Sequence, residues 1–253
     1  MKQTSRKKVL LSSVAMMMVA TVSLSSATYA WFSQNTQATA NGVNVKTVKG
    51  SNLVLSETNT VDSVWKSILD LNIDDKTLTP VSSKDCDDWF TTKATKYDVA
   101  ATEEGGRGTI TPVENRDAAG YYVAEEFYVK SIEESIIADF QVNVAATDSE
   151  AVDQLNYVRV ALKKEDGTLT EIYGNNADHK SCLTSTSADT LGTQSITTSA
   201  ITGQLTLTAD TAQKVTLYIW FEGEDPDCKD TAAGVDVSVS VDFTKNQTIV
   251  END

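Results

Sequence analysis

Apolar and polar side chains alternate with a period of two along much of the chain, which is typical of strands with one buried face. Asp166-Gly167 favours a hairpin turn into a return strand at residues 169–173. Eight or more short strands with turns between them predict an all-β fold, a jelly-roll-like antiparallel β-sandwich. The alternating runs span residues 42–48, 52–55, 121–130, 137–145, 155–163, 204–208, 214–222 and 235–243.

Some segments lack this alternation. Residues 61–71 favour a short helix, because apolar side chains there recur at helical spacing, and residues 131–137 are a second helix candidate. Residues 76–118 and 174–203 are polar and rich in Gly, Ser and Thr, which predicts long loops inserted into the domain.

Trp220 lies on the opposite face of its strand from the apolar positions Val215, Leu217 and Ile219. This pattern favours a core strand that is covered on both faces. The alternative is an aromatic platform for a carbohydrate.

The first 30 residues have the plan of a secretory signal peptide. A basic stretch at 1–8 precedes an uncharged, mostly apolar run of sixteen residues at 9–24, and small residues lead to Ala30. This pattern predicts export, cleavage after Ala30 by a signal peptidase, and no stable membrane span afterwards. An uncleaved N-terminal anchor is the alternative, although the apolar run is short for a span of ~20 residues.

The net charge of the chain is −15, and removal of residues 1–30 leaves 17 basic against 36 acidic side chains, a net charge of −19. So acidic a protein repels nucleic acids and anionic membrane surfaces. The charge suits an extracellular or cell-surface location, and it excludes nucleic acid as an expected partner.

Catalysis has few candidate residues in this sequence. His179 is the single histidine, which excludes zinc hydrolases that need a pair of imidazoles, and a Ser-His-Asp triad would have to use it. His179 lies in a polar stretch with no nucleophile elbow near it, so we interpret it as a solvated loop histidine and predict that the protein is not an enzyme.

Clustered carboxylates suggest one cofactor, calcium, because this ion prefers oxygen ligands supplied by loops. Solvated turns are the alternative interpretation in so acidic a chain. The best of the clusters follows the strand at 214–222 and contains Glu222, Glu224, Asp225 and Asp227.

Three cysteines are present, Cys86, Cys182 and Cys228, without a C-x-x-C motif. In an exported protein two of them can pair. The sequence analysis favours a disulfide between Cys182 and Cys228, and three free thiols are the alternative.

The segment after the apolar run carries a family resemblance. Small residues with Thr and Tyr at 27–30 are followed by Trp31-Phe32-Ser33, a polar stretch at 34–40, and Asn41-Gly42 before an alternating strand. This order resembles the start of TasA/camelysin-type proteins, which Firmicutes export through a SipW-type signal peptidase. Residues 218–228 are also similar to a strand and turn that recur in Gram-positive surface proteins with this leader.

The resemblance implies a secreted, jelly-roll subunit of an extracellular fibre or biofilm matrix. Residues 31–48 would be a donor strand that adds to a neighbouring subunit, and residues 49–253 would form one β-sandwich domain. Trp31 and Phe32 would anchor the strand, and Val43 and Val45 would set its register. The expected partner is therefore a second copy of the chain. A monomeric, adhesin-like surface module that binds glycan or protein ligands is the alternative.

Overall fold

The computed structural model describes residues 43–47, 52–71, 78, 80–92, 110–113, 121–146, 155–187, 190–225, 228 and 237–248. The chain divides into two compact units, Met1–Thr39 and Ala40–Asp253. All described residues belong to the second unit. The predicted signal peptide, Trp31 and Phe32 lie outside the described residues.

Strands are the main secondary structure of the described residues, and no α-helix occurs among them. Within this part of the chain, no helix has the length and hydropathy of a membrane span. The strands are β1 (Val43–Thr47), β2 (Leu53–Ser56), β3 (Ile68–Leu71), β4 (Phe90–Thr92), β5 (Ile110–Pro112), β6 (Tyr122–Ser131), β7 (Ile136–Ala146), β8 (Val158–Lys164), β9 (Ile172–Tyr173), β10 (Ser181–Leu183), β11 (Leu191–Thr193), β12 (Ile196–Thr197), β13 (Ile201–Leu207), β14 (Gln213–Phe221) and β15 (Val237–Thr248).

Two large sheets organise these strands. The front sheet has the order β13-β7-β15-β1-β3, and the back sheet has the order β12-β9-β8-β14-β6-β2. Most neighbours are antiparallel, but β1 pairs with β15 in parallel, and so does β12 with β9. The prediction of an all-β sandwich is therefore confirmed, and the sheets are antiparallel except at these two pairs. The jelly-roll topology stays a prediction.

One apolar core draws its side chains from both sheets. The ring of Phe127 in the back sheet lies 6.1 Å from that of Phe243 in the front sheet, in an edge-to-face arrangement. Phe140 contacts Phe243 from the neighbouring strand, also at 6.1 Å between ring centroids. Because alternate side chains of a strand point to the same face, the period-two pattern of the sequence supplies this core. The two sheets form a β-sandwich-like fold.

The outer face of the back sheet is covered as well. Trp89 stacks on Tyr122 with 3.8 Å between ring centroids and meets Trp220 edge to face at 5.4 Å. Residues 80–92, 110–113, 179–187 and 190–194, which we call the cover layer, contain Trp89 and the small antiparallel pairs β4–β5 and β10–β11. Trp220 is fully buried. The interpretation of its strand as covered on both faces is confirmed.

The hairpin prediction at Asp166-Gly167 is confirmed by a turn in which Gly167 has a φ of 84° and the Lys164 amide donates to the Thr168 carbonyl at 2.9 Å. A positive φ is the conformation that glycine adopts without a steric penalty.

Both helix predictions are wrong. Residues 68–71 form β3, in which Leu69 and Leu71 are buried while Ile68 and Asp70 are exposed, so a period of two replaces the apparent helical spacing. Residues 131–137 hold the turn between β6 and β7, where Glu133 has a φ of 70°. That left-handed conformation interrupts any helix.

The loop prediction for residues 174–203 is also wrong in part, because β10, β11, β12 and the start of β13 lie there. These strands are two to three residues long, apart from β13, and are too short to produce a visible alternation in the sequence.

Candidate functional site

A buried polar network lies where the cover layer meets the back sheet. Its centre is Arg159 of β8, the register neighbour of Trp220, with no exposed surface. The guanidinium has five N–H donors, and the structure provides five acceptors for them. These are Gln194 Oε1 at 3.1 Å from Nε, the carbonyls of Asn156 at 2.7 Å and Val158 at 3.1 Å from Nη1, and the His179 carbonyl and Asp225 Oδ2, both at 2.7 Å from Nη2.

Asp225 connects this cation to the histidine. Its second oxygen, Oδ1, lies 3.1 Å from His179 Nδ1, and His179 Nε2 lies 3.3 Å from the side-chain nitrogen of Asn176. Because the Asn176 amide nitrogen is a donor, this pattern assigns the proton of the neutral imidazole to Nδ1. The His179 side chain is 24% exposed. The interpretation of His179 as a solvated loop residue is therefore corrected, since the ring is fixed between two protein groups.

Glu222 is the second acid of the network and is completely buried. Its Oε2 accepts from Gln194 Nε2 at 2.6 Å and from Trp220 Nε1 at 3.2 Å, and its Oε1 accepts from the Glu224 amide at 3.2 Å. Burial raises the pKa of Glu222 to about 7, although the nearby Arg159 charge and the hydrogen bonds act in the opposite direction.

Gln194 connects Arg159 and Glu222 with Ser83 of the cover layer. Its oxygen accepts from Arg159, while its nitrogen donates to Glu222 and to the Ser83 carbonyl at 2.7 Å. Ser82 adds a further tie, because its hydroxyl accepts from the Leu183 amide at 2.7 Å. Chain segments far apart in sequence are thus fastened to the back sheet by one continuous set of hydrogen bonds. We call Arg159, Gln194, Glu222, Asp225 and His179 the buried network.

Two of the four candidate calcium ligands, Glu222 and Asp225, belong to this network. The oxygens of Glu222 and Asp225 face protein donors, Glu224 is also buried, and Asp227 lies outside the described residues. In the described part of the chain, no group of three or more His, Cys, Asp or Glu side chains is arranged to hold a metal ion. What the sequence presents as an acidic turn is, for Glu222 and Asp225, a set of acceptors for Arg159, Gln194 and Trp220.

All three cysteines are free and buried, so the structure contains no Cys182–Cys228 disulfide and matches the alternative of three thiols. Cys228 lies in the main core, and Cys86 packs with Trp220. Burial raises the pKa of Cys182 and Cys228 to about 12 and that of Cys86 even further. Because the thiolate is the reactive form, these thiols are poor nucleophiles.

The predicted assembly residues divide into two pairs. Trp31 and Phe32 lie outside the described residues, whereas Val43 and Val45 are buried in the main core as part of β1. β1 lies between β15 and β3, with Val43 opposite Val239 and Leu71. The structure therefore places Val43 and Val45 in the chain's own front sheet. The sequence analysis expected them to lie in a groove of a neighbouring subunit instead.

Sequence reasoning missed Arg159 and Gln194. One signal for Arg159 is present, because it is a charged residue within the apolar first part of its strand, between Val158 and Val160, and such a residue needs a buried partner. Gln194 lies in a polar stretch and carries no comparable signal.

Comparison with known proteins adds no assignment. No family model matches the chain, and no curated protein is significantly similar to it.

Proposed function

We propose that the chain is an exported structural subunit of an extracellular fibre or biofilm matrix, which assembles by exchange of its N-terminal strand. The observation that carries this proposal is the position of β1. It precedes every other strand that the structure describes, yet it is an inner strand of the front sheet, and β3 has no other described partner in that sheet.

Withdrawal of β1 would leave a groove between β15 and β3 that the same strand of a second copy fits. Side chains at alternate positions, Val43, Val45 and Thr47, fill this groove, and Asn44 and Lys46 point outward. The pairing with β15 covers five positions and that with β3 covers four, so the register is defined on both sides. Exchange of an identical element replaces each contact by an equal one, and its cost is therefore low.

The exchange becomes a chain of subunits when each copy donates its strand to the next and the contact does not close. Trp31 and Phe32, eleven or more positions before β1, would then add contacts on the acceptor that are not made within one copy. The acidic charge of the chain suits an extracellular matrix, and the proposal includes no catalytic step.

A disulfide that locks β1 into its own sheet tests the proposal. Asn44 and Ser240 are register neighbours on β1 and β15, so cysteines at both positions can form a bond that prevents exchange. We expect the full-length chain with Asn44→Cys and Ser240→Cys, exported and oxidised, to form no fibres in electron microscopy and to form fibres after reduction. The native thiols are all buried and do not compete.

The matched control locks strands that remain together in the proposal. Asn143 lies opposite Ser240 on the other side, so the pair Asn143→Cys and Ser240→Cys ties β15 to β7. This variant should assemble whether it is oxidised or reduced. Fibres formed by the oxidised β1 lock, or no fibres from any variant or from the unmodified chain, would contradict the proposal.

A monomeric surface module that binds a protein ligand remains the second candidate, and one observation favours it. The connection between β2 and β3 exposes Val61 fully and Val64 largely and contains the half-buried Trp65, and Ile68 at the start of β3 is about half exposed. Exposed apolar side chains grouped in this way mark interaction sites. Binding of a surface partner by monomeric protein, and its loss in a Val61→Ser/Val64→Ser variant, would favour this candidate.

A further inference from the structure

β13 forms one outer edge of the front sheet, and no described residue pairs with its free side. The strand has seven residues, Ile201–Leu207, and all of them pair with β7 on the other side. None of the seven is charged, and none is proline. Natural proteins usually protect edge strands with charges, proline, bulges or short length, because unpaired backbone groups invite another strand.

The other edges of the two sheets have such protection. β12 has two residues, and β3 has four, including Asp70. β2 is covered, because Leu55 and Lys66 exchange two backbone hydrogen bonds of 2.8 and 2.9 Å on its outer side. β13 is thus the long, uncharged edge among the sheets that the structure describes.

The sequence of β13 complements itself when two copies are placed antiparallel about Gln204. Thr202 of each copy then lies opposite Thr206 of the other on the solvent face, and Ile201 lies opposite Leu207 on the core face. Facing threonines are favourable neighbours across strands. Gly203 lies opposite Leu205, and the core side of Gly203 is already occupied by the Phe140 ring of the same chain.

The electrostatics permit this contact in spite of the acidic chain. The acid nearest to the centre is Asp139, the register partner of Gln204, and its carboxylate accepts from Gln204 at 2.8 Å and from Asn246 at 2.9 and 3.0 Å. In the antiparallel pair, the two Asp139 residues would be three strand spacings apart, about 14 Å. This separation exceeds the Debye length of about 8 Å at physiological ionic strength, so their repulsion is screened.

We infer that β13 is a self-association edge, which pairs antiparallel with β13 of a second copy about Gln204 and joins two front sheets into one. This interaction is independent of the exchange of β1, because β13 and β1 are separated by β7 and β15. A strand pair alone buries less surface than a standard protein interface. The association is therefore reversible and depends on protein concentration.

Cross-linking tests the register. The twofold arrangement brings the two Gln204 residues directly opposite each other, with Cβ atoms about 5 Å apart, whereas the two Thr202 residues are about four strand positions from each other. The full-length chain with Gln204→Cys should form disulfide dimers on mild oxidation, at least tenfold more than the chain with Thr202→Cys. The Thr202→Cys/Thr206→Cys variant should cross-link again. The buried native thiols should leave the unmodified chain monomeric on a denaturing gel.

Charge pairs test the contact without a covalent bond. Thr202→Lys/Thr206→Lys places lysines opposite lysines, and we expect it to raise the dimer dissociation constant at least tenfold in sedimentation experiments. Thr202→Lys/Thr206→Glu places opposite charges together and should remain within about threefold of the unmodified chain. Equal cross-linking of the Gln204 and Thr202 variants, or equal association of the two charge variants, would overturn the inference. The β1 lock should leave these dimers intact, so the outcome is separate from that of the fibre test.

Discussion

Arg159 Nη2 lies 2.7 Å from Asp225 Oδ2, and neither side chain has any exposed surface. A buried ion pair is weak evidence for net stability, because both charges lose their hydration. The loss of one partner is more damaging, since it leaves an uncompensated charge in the protein interior. The main role of the pair is therefore to hold the cover layer on the back sheet.

We predict that Arg159→Met lowers the free energy of unfolding by about 3–5 kcal/mol, because Asp225 then keeps a buried charge without its cation. Urea unfolding followed by circular dichroism measures this change. The double variant Arg159→Met/Asp225→Asn removes the orphaned charge as well, and it should be more stable than Arg159→Met alone. If Asp225→Asn lowers the free energy of unfolding as much in the Arg159→Met chain as in the unmodified chain, the two side chains are not coupled.

Glu222 gives the stability a dependence on pH. Its pKa is about 7 in the folded chain, against the ordinary glutamate value of 4.5 in the unfolded chain. Between these values the folded state keeps the proton that the unfolded state has lost, so this group lowers stability as the pH rises through this window. With 1.36 kcal/mol for each pKa unit, the loss reaches about 3 kcal/mol above pH 7.

The Glu222→Gln variant cannot lose this proton. We expect the difference in unfolding free energy, variant minus unmodified chain, to increase by about 2–3 kcal/mol between pH 5 and pH 8. Urea unfolding at several pH values measures it, and subtraction removes the contribution of all other groups. A difference that stays constant over this range would show that Glu222 is ionised throughout.

The cover layer depends on Trp89, which lies against Tyr122 and Trp220. Trp89→Ala should cost about 3–5 kcal/mol, because it removes a large buried ring and leaves a cavity. Trp220 should then become accessible to acrylamide, which fluorescence quenching measures. Trp65 is the control, since it is only partly buried and has Lys130 Nζ 4.2 Å from its ring centroid. Trp65→Ala should cost about 1 kcal/mol or less and leave the accessibility of Trp220 unchanged.

Sequence reasoning reached the longer strands, because apolar side chains recur at alternate positions over seven or more residues, as in β8 and β14. It failed for β3, since the turn and bridge that precede it happen to carry apolar residues at helical spacing. It failed for the buried network for a different reason. Carboxylates that accept from Arg159 and Gln194 look the same in sequence as carboxylates that face water, and only the fold brings residues 159, 194 and 222 together.

A substitution at Gly203 tests the close packing of β13 against β7. A Cβ atom on Gly203 would lie 2.4 Å from Cζ of the Phe140 ring, which is closer than two carbon atoms can approach. Gly203→Ala should therefore destabilise the chain by about 1–3 kcal/mol, the usual cost of excess volume in a packed core. Adding Phe140→Leu, which shortens the side chain that meets the new methyl group, should cost less in the Gly203→Ala chain than in the unmodified one. Thermal unfolding of the four chains gives this coupling directly. Purely additive effects would mean that the Phe140 ring is not the reason why position 203 requires glycine.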